Sequence, residues 1–517
     1  MTRTRWAFPA AVFLTVLLLL LTWTIATPLF GSPDEPAHLY KAYGTAHGEA
    51  IGQPIEGSFS PNLRRFDVPA EMGIPPNIMC FVFQADVTAG CVQPGSSSAG
   101  ESTAATYPPF WYGLVGGGVR LTGHDTSQRA YRAVAAALCA ALIAAAFVVA
   151  RRSASGRLSP LLLLGLTPMT LFLGGSVNPN GFEIAGFLML WALCLQVDSE
   201  RAPGRRSGVI VGTIVAVLLL SRFASAIWVA TGAGVIALTI GVSGVRRFMN
   251  RSFLVPVLGL GGVASALLVA WSRYAGAVAD DPRIATEMSL ADAARTTWER
   301  TPELLRQMIG ILGWLDTRIP WFAYALFALF TAVALTGVVL AGDRRLVIAA
   351  GAVCAGVIIV PIAVNVASAA SAGLIWQGRY SLPLYAMLGM LGMLGWHRAL
   401  ERRPNPRVLT AVRWIASTCF VIAEVAAFWQ AMRRFAVGAN GKIWLDEPLP
   451  WSPSITPMLL IAVNAVLVLA LAGAVLAGTV RDHAVANDDR PEVGHDPRAG
   501  PSGSPFDDQT AANAASR

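Results

Sequence analysis

The sequence is short of charge. Asp, Glu, Lys and Arg make up only 14% of its 517 residues, against roughly 25% in soluble domains, and so few charges cannot clothe a water-facing surface of this size. Lysine is nearly missing, since Lys41 and Lys442 are the only two. Six cysteines in 517 residues exclude a disulfide scaffold. No internal repeat stands out, so the signature of an inverted-repeat transporter is lacking. One polar, Asp/Ala/Pro/Gly-rich stretch, 481–517, has too little apolar material to bury a core and is expected to be a disordered cytoplasmic tail.

What is abundant is apolar: 54% of the chain is Ala, Val, Ile, Leu, Met, Phe, Trp, Tyr or Cys. A bilayer core takes ~20 apolar residues per helix. Windows of that size fall at 7–29, 129–150, 158–176, 181–198, 208–221, 224–242, 252–272, 319–340, 346–367, 380–397, 409–430 and 456–480. The expected fold class is an all-α polytopic membrane protein of about 12 transmembrane helices, forming one domain over 1–480. The first window is too long for a signal-peptide core and is read as a retained helix.

Arginine sets the orientation. With Arg3 and Arg5 inside, alternate short connections carry Arg151, Arg152 and Arg157; Arg201, Arg205 and Arg206; Arg246, Arg247 and Arg251; Arg344 and Arg345; and Arg398, Arg402, Arg403 and Arg407. All fall on the cytoplasmic side. The +8 balance is thereby an orientation signal, and nucleic acid is dropped as a partner. Both termini are placed in the cytoplasm of a multi-pass plasma-membrane protein. The long loops 30–128 and 273–318, with the shorter 368–379 and 431–455, lie outside. Cys80 and Cys91 share the first external loop, where an oxidising compartment favours a disulfide. Cys139, Cys194, Cys354 and Cys419 sit inside spans as small apolar residues. Glu424 is the main charge within a span.

Six external segments hold candidate chemistry. Gly31-Ser32-Pro33-Asp34-Glu35-Pro36-Ala37-His38-Leu39-Tyr40-Lys41 reads as the start of a short amphipathic helix on the membrane surface, with Ser32 or Asp34 as its cap and Pro36 in its first turn. Asp34, His38 and Lys41 then share its polar face, and the helix dipole holds Asp34 ionised. Tyr107-Pro108-Pro109-Phe110-Trp111-Tyr112 offers aromatics, either as a sugar-stacking surface or as an interfacial belt. Ser176-Val177-Asn178-Pro179-Asn180-Gly181 is a tight turn, followed by Glu183, an acid inside a span that calls for a partner. Arg222 either snorkels to the interface or holds a phosphate. In Gly313-Trp314-Leu315-Asp316-Thr317-Arg318, Asp316 and Arg318 are expected to pair, after an amphipathic surface helix over 289–309. In Trp376-Gln377-Gly378-Arg379-Tyr380, Gly378 would let backbone approach a ligand and Arg379 offers a planar fork of donors to phosphate.

In combination and in this order, Pro33-Asp34-Glu35-Pro36-Ala37-His38, Tyr107-Pro108-Pro109, Ser176-Val177-Asn178-Pro179, Gly313-Trp314-Leu315-Asp316 and Gln377-Gly378-Arg379-Tyr380 resemble a bacterial family of polytopic membrane proteins that is itself similar to the GT-C glycosyltransferases. The resemblance covers about 10–400. Many members carry an acid where this chain has Asn180. The resemblance implies a GT-C-like bundle and an enzyme that transfers sugar from a polyprenyl-phosphate donor to a glycan, lipid or protein acceptor of the cell envelope, on the outer face of the bilayer. Asp34 matches the catalytic acid of the first external loop, with Glu35 beside it.

Chemistry fits that class. A sugar on a polyprenyl phosphate already has its leaving group, so one carboxylate must take a hydroxyl proton and cations must receive the departing phosphate. Asp34 suits the first task, and Arg379, Arg222, His38 or Lys41 the second. Tyr107, Asn178, Asp316, Gln377 and Tyr380 complete the substrate-binding candidates. A divalent metal on Asp34 and Glu35 has few evident ligands. The competing readings are a transporter or flippase of a lipid-linked envelope precursor, and a non-catalytic envelope assembly partner.

Overall fold

The structure is a computed structural model that describes residues 3–58, 62–75, 77–93, 95, 99–195, 202–276, 288–446 and 448–488. The chain divides into a large unit, Met1–Thr479, and a short one, Val480–Arg517.

The large unit is built from helices. In chain order they are α1 (Arg3–Ala26), α2 (Glu35–Ala46), α3 (Pro109–Arg120), α4 (Gln128–Arg151), α5 (Pro168–Gly174), α6 (Pro179–Cys194), α7 (Arg205–Ser221), α8 (Ser225–Phe248), α9 (Arg251–Ala275), α10 (Leu290–Glu299), α11 (Thr301–Gly310), α12 (Trp321–Leu340), α13 (Arg344–Ala372), α14 (Leu382–Tyr385), α15 (Met387–Arg402), α16 (Pro406–Val437) and α17 (Pro457–Asp488). Two small antiparallel sheets accompany them. β1 (Gln53–Pro54), β2 (Arg64–Asp67) and β3 (Ala99–Ser102) form one, in register Arg64↔Ser102 and Phe66↔Gly100. β4 (Ile311–Leu312) and β5 (Thr317–Arg318) form the other.

Eight of these helices, α1, α4, α8, α9, α12, α13, α16 and α17, are long and apolar enough to cross a bilayer, and the protein is a multi-pass membrane protein. Among the described residues, the other four expected windows hold no single helix of that length, for local reasons. Over 158–176 a 3₁₀ stretch, Gly156–Gly165, and α5 meet at 76°. Pro160 and Pro168 each remove a backbone donor there, and Thr167 caps α5 through its hydroxyl. Windows 181–198 and 208–221 yield helices of 16 and 17 residues. Window 380–397 is broken into a 3₁₀ turn Gly378–Ser381, α14 and α15.

These short pieces are the most enclosed part of the bundle: nearly all of 158–192 and 381–396 is buried. Lipid is as apolar as leucine, so helices gain little by hiding apolar surface from it and pack through close approach instead. α15 shows this. A Cβ on Gly389 would lie 2.6 Å from the Leu161 carbonyl oxygen, and one on Gly395 2.5 Å from the Val338 nitrogen, so these glycines let α15 press against the Gly156–Gly165 stretch and α12.

The external loop after α1 does not lie on a surface as a half-wet helix. α2 is wedged between α3 and the β1–β2–β3 sheet, and eight of its twelve residues are buried. Ser102 ties the sheet down by donating to the Ala37 carbonyl at 2.7 Å. Cys80 and Cys91 form a disulfide. α10 and α11 occupy the 289–309 stretch, each with one buried side. The tail expected to be disordered from 481 begins as helix, because α17 runs to Asp488; the remainder of that expectation lies outside the described residues.

Candidate active site

The site is prepared by the turn between α1 and α2. Arg132, in the first turns of α4, is 1% exposed and uses all five of its N–H donors. Its NH1 donates to the carbonyls of Thr24 (2.9 Å) and Thr27 (2.7 Å), its NH2 to Pro28 (2.8 Å) and Glu35 Oε2 (2.5 Å), and its Nε to Glu35 Oε1 (2.7 Å). Glu35 Oε1 also accepts from the Val177 amide at 3.1 Å. Asn178 caps α6 by accepting from the Asn180 amide and donates to the Pro33 carbonyl at 3.1 Å. Residues 33 and 35 are thereby fixed from both sides of Asp34.

Asp34 itself takes φ 61°, ψ 3°, a left-handed conformation that Asp and Asn tolerate better than most residues. Its side chain does not cap α2. The twist turns the carboxylate to Arg379, whose NH2 donates to Asp34 Oδ2. Arg379 is 1% exposed whereas the Asp34 side chain is 41% exposed, so the carboxylate faces open space and the guanidinium lies behind it. Arg379 Nε and NH1 are buried and have no acceptor among the described residues.

Arg379 stands where it does because of the 3₁₀ turn at 378–381. The Gly378 amide donates to Gln307 Oε1 on α11 at 2.9 Å. A Cβ on Gly378 would lie 1.9 Å from the Leu304 carbonyl oxygen. This glycine serves close approach to α11, not to a ligand. Trp376 is held by Asn365, which accepts from its amide at 2.8 Å, and lies edge-on to Tyr380 at 5.7 Å.

A second arginine completes the pocket. Arg222 follows α7 and donates through NH1 to Glu183 Oε2 at 2.8 Å; Ser225 donates to Glu183 Oε1 at 2.7 Å and Asn180 to Oε2 at 3.1 Å. The guanidinium carbons of Arg222 and Arg379 lie 5.0 and 5.3 Å from the Tyr380 ring centre. Tyr107 lies 6.4 Å from Phe223 and 6.0 Å from His38, ring to ring.

Burial pushes the Asp34 carboxyl up, but the positive charge of Arg379 and its hydrogen bond, with Arg222 further off, hold it below its ordinary value. His38 goes the other way. Burial, opposed by Asp34 and reinforced by the two arginines, lowers it to about 3, so it is neutral, with Nδ1 2.9 Å from the Tyr112 hydroxyl. Burial, and after it Tyr380, keeps the Tyr107 hydroxyl protonated. The arrangement is one ionised, half-open carboxylate in front of two arginines with an aromatic wall.

The sequence model of one family, described as Predicted membrane protein (DUF2142), matches residues 17–388, a span that contains every one of these pocket residues. The chain belongs to the DUF2142 family. Among curated proteins no sequence matches it. Among solved structures, it is similar to ArnT from Cupriavidus metallidurans bound to undecaprenyl phosphate, at 16% identity and TM-score 0.46, over 94% of this chain and 80% of that one. It is also similar to an Archaeoglobus fulgidus oligosaccharyltransferase tethered with an acceptor peptide, at 15% identity and TM-score 0.34 over 83% of this chain, and to the AglB enzyme of that organism in complex with an inhibitory peptide and a dolichol-phosphate, at 15% identity and TM-score 0.35 over 85%. The chain spans 56% and 57% of the length of those two archaeal chains.

In this DUF2142 protein the structure gathers Asp34, His38, Tyr107, Arg222, Arg379 and Tyr380, with Gln377 adjoining. It sends others elsewhere. Glu35, paired with Asp34 in the sequence reading, points to Arg132. Lys41 is not on a free polar face: it is buried against the Tyr112 and Trp271 rings, and its Nζ donates to the carbonyls of Ala50 and Ala105. Neither it nor neutral His38 supplies a cation to the pocket. Asn178 spends its amide on Pro33 and α6. Asp316 does not pair with Arg318, which goes to Glu303. Arg434 on α16 takes Asp316 at 2.7 Å and also donates to the Phe81 and Val87 carbonyls, so it ties the β4–β5 turn to the disulfide loop.

The residues missed in the sequence were Arg132 and Arg434. Arg132 carried a usable signal, a charge inside an expected span. Arg434 carried none, because its partners are 118 and about 350 residues away. As for a metal, no three His, Cys, Asp or Glu side chains gather among the described residues, and Glu35, the second ligand considered, is saturated by Arg132 and Val177. The donor set does not fit a divalent ion.

Proposed function

We propose that this pocket is the active site of a membrane glycosyltransferase that moves a sugar from a polyprenyl-phosphate donor to a hydroxyl of a cell-envelope acceptor, on the outer face of the plasma membrane with both termini in the cytoplasm. The observation that carries the reading is the Asp34–Arg379 pair: a half-open carboxylate backed by a buried guanidinium with two nitrogens unspent among the described residues. A phosphate oxygen reaching either of them would make a charge-assisted hydrogen bond.

The step is a single displacement. The acceptor oxygen bonds to the anomeric carbon, and the bond from that carbon to the phosphate oxygen breaks. The acceptor proton passes to Asp34, and the lipid phosphate leaves with the bonding electrons. Attack opposite the leaving group inverts the anomeric centre, as in single-displacement glycoside chemistry. Arg379 and Arg222 stabilise the charge that grows on the phosphate, and the Tyr107 and Tyr380 rings border the place where the sugar would lie. Glu183 holds Arg222 and takes no part in the bond changes.

The test is incubation of the purified protein with a panel of polyprenyl-phosphate sugars and envelope extract, scored by mass spectrometry for released lipid phosphate. Release by the native protein and none by Asp34→Asn supports the reading. Equal release by both would remove Asp34 as the base, and no release from any donor would remove the activity.

A further inference from the structure

A second concavity of about 660 Å³ opens beside the end of α1 and shares no residue with the Asp34 pocket. That volume is in the range of small-ligand sites. Its lining combines Thr24–Phe30 at the end of α1, Gln128 and Arg129 at the start of α4, and Glu71 and Trp451 from two loops. Both α1 and α4 are helices of membrane-spanning length, so the groove sits where their hydrocarbon-level segments end and the polar loops begin.

Two features define what would fill it. Arg129 and Glu71 are both exposed, and neither makes an ion pair or side-chain hydrogen bond among the described residues. The groove is therefore lined by one unspent cation and one unspent carboxylate. Along α1, Leu14 (53% exposed), Leu18 (49% exposed) and Ile25 fall on one helical face, with Ile25 about two turns beyond Leu18; Leu29 follows just after the helix ends, and Ile25 and Leu29 line the groove. An apolar track thus ends in a mouth lined by two opposite charges.

We propose that this groove seats the headgroup of a zwitterionic phospholipid, with the phosphate on Arg129, the primary ammonium on Glu71 and an acyl chain along Leu14, Leu18, Ile25 and Leu29. Charge complementarity selects the class. An anionic headgroup satisfies Arg129 and is repelled by Glu71, whereas a headgroup carrying both signs satisfies both. A trimethylated ammonium lacks the N–H donors that a carboxylate accepts from, so a primary amine fits better than a choline. The inference is independent of any transferase activity.

The test uses the full-length protein, stripped of lipid in detergent and titrated with dioleoyl phosphatidylethanolamine, phosphatidylglycerol or phosphatidylcholine, with bound lipid counted by native mass spectrometry. The native protein should retain one phosphatidylethanolamine about fivefold better than either other lipid, the span of one exposed charge pair. Glu71→Gln should erase the preference over phosphatidylglycerol, and Arg129→Gln should weaken all three phospholipids. Equal retention of the three lipids by the native protein overturns the proposal. So does soluble glycerophosphoethanolamine binding as tightly as the lipid, since the apolar track would then contribute nothing.

Discussion

Asp34 and Arg379 stand 345 residues apart in the chain and share a hydrogen bond at the mouth of one pocket. The acid arrives on a strained left-handed turn, and the arginine on a 3₁₀ turn pressed against α11. Each is held by its neighbours: Arg132 and Asn178 on one side, Gln307 and the absence of a side chain at 378 on the other. If the pocket transfers sugar, these two residues separate into different kinetic roles. Asp34→Asn should lower kcat by about 10²–10⁴-fold, the usual worth of a positioned base, with expression and thermal stability close to native. Arg379→Lys should not restore Arg379→Ala, because an ammonium cannot present two parallel donors; donor KM in both is the measurement. An unchanged donor KM would assign Arg379 to anchoring alone.

The pH dependence follows from two depressed groups. Asp34 sits below its ordinary carboxylate value, so whatever stability its pairing adds is present above the unfolded value of about 3.9 and is lost only as pH falls through the lower, folded one. His38, at about 3, does not gain a proton anywhere near neutrality. Initial rates should therefore be flat from about pH 8 to about pH 5 as far as these groups are concerned. An inflection near 6.5 that disappears in His38→Gln would contradict the neutral, buried His38.

The Glu35–Arg132 pair is a support and should behave as one. Removing either partner leaves a buried charge without its counter-ion, a loss of about 3–5 kcal/mol. Arg132→Met and Glu35→Gln should each lower the thermal midpoint and the yield of folded protein. The double variant Arg132→Met/Glu35→Gln should recover part of that loss, read by thermal unfolding in detergent. Additive losses would mean that the two side chains do not act as a pair.

Gly378→Ala tests the approach to α11. A methyl group 1.9 Å from the Leu304 oxygen cannot be accommodated without moving α11 or the 378–381 turn. The expected result is loss of Arg379-dependent donor binding together with lower stability. A variant with native donor affinity would show that the turn can retreat without carrying Arg379 along.

Much of this was legible in the sequence, and the parts that were not have physical reasons. Apolar windows located all eight long spans, because length and hydropathy are what the bilayer selects. They also marked 158–176 and 380–397 as spans, where internal prolines and enclosure by neighbouring helices produced bent or broken pieces instead. A window average sees composition and not the loss of a donor at Pro160 or Pro168. At the site, Asp34, Arg222 and Arg379 stood out because a charge beside a span needs a reason. Their assortment into pairs did not stand out. Asp316 sits two residues from Arg318 yet binds Arg434, and Glu35 sits beside Asp34 yet faces the opposite way. Helical and turn geometry decide where neighbours point, and only the assembled bundle brings Glu183 to Arg222.

Arg132 grips its neighbourhood almost wholly by backbone. Three of its five hydrogen bonds end on the carbonyls of Thr24, Thr27 and Pro28, atoms that every amino acid possesses. A substitution along that stretch leaves those acceptors in place, so the grip of Arg132 on the turn does not depend on which side chains stand there. Ligand preference in the outer groove could diversify through 24–30, 71 and 129 with the Asp34 turn left undisturbed.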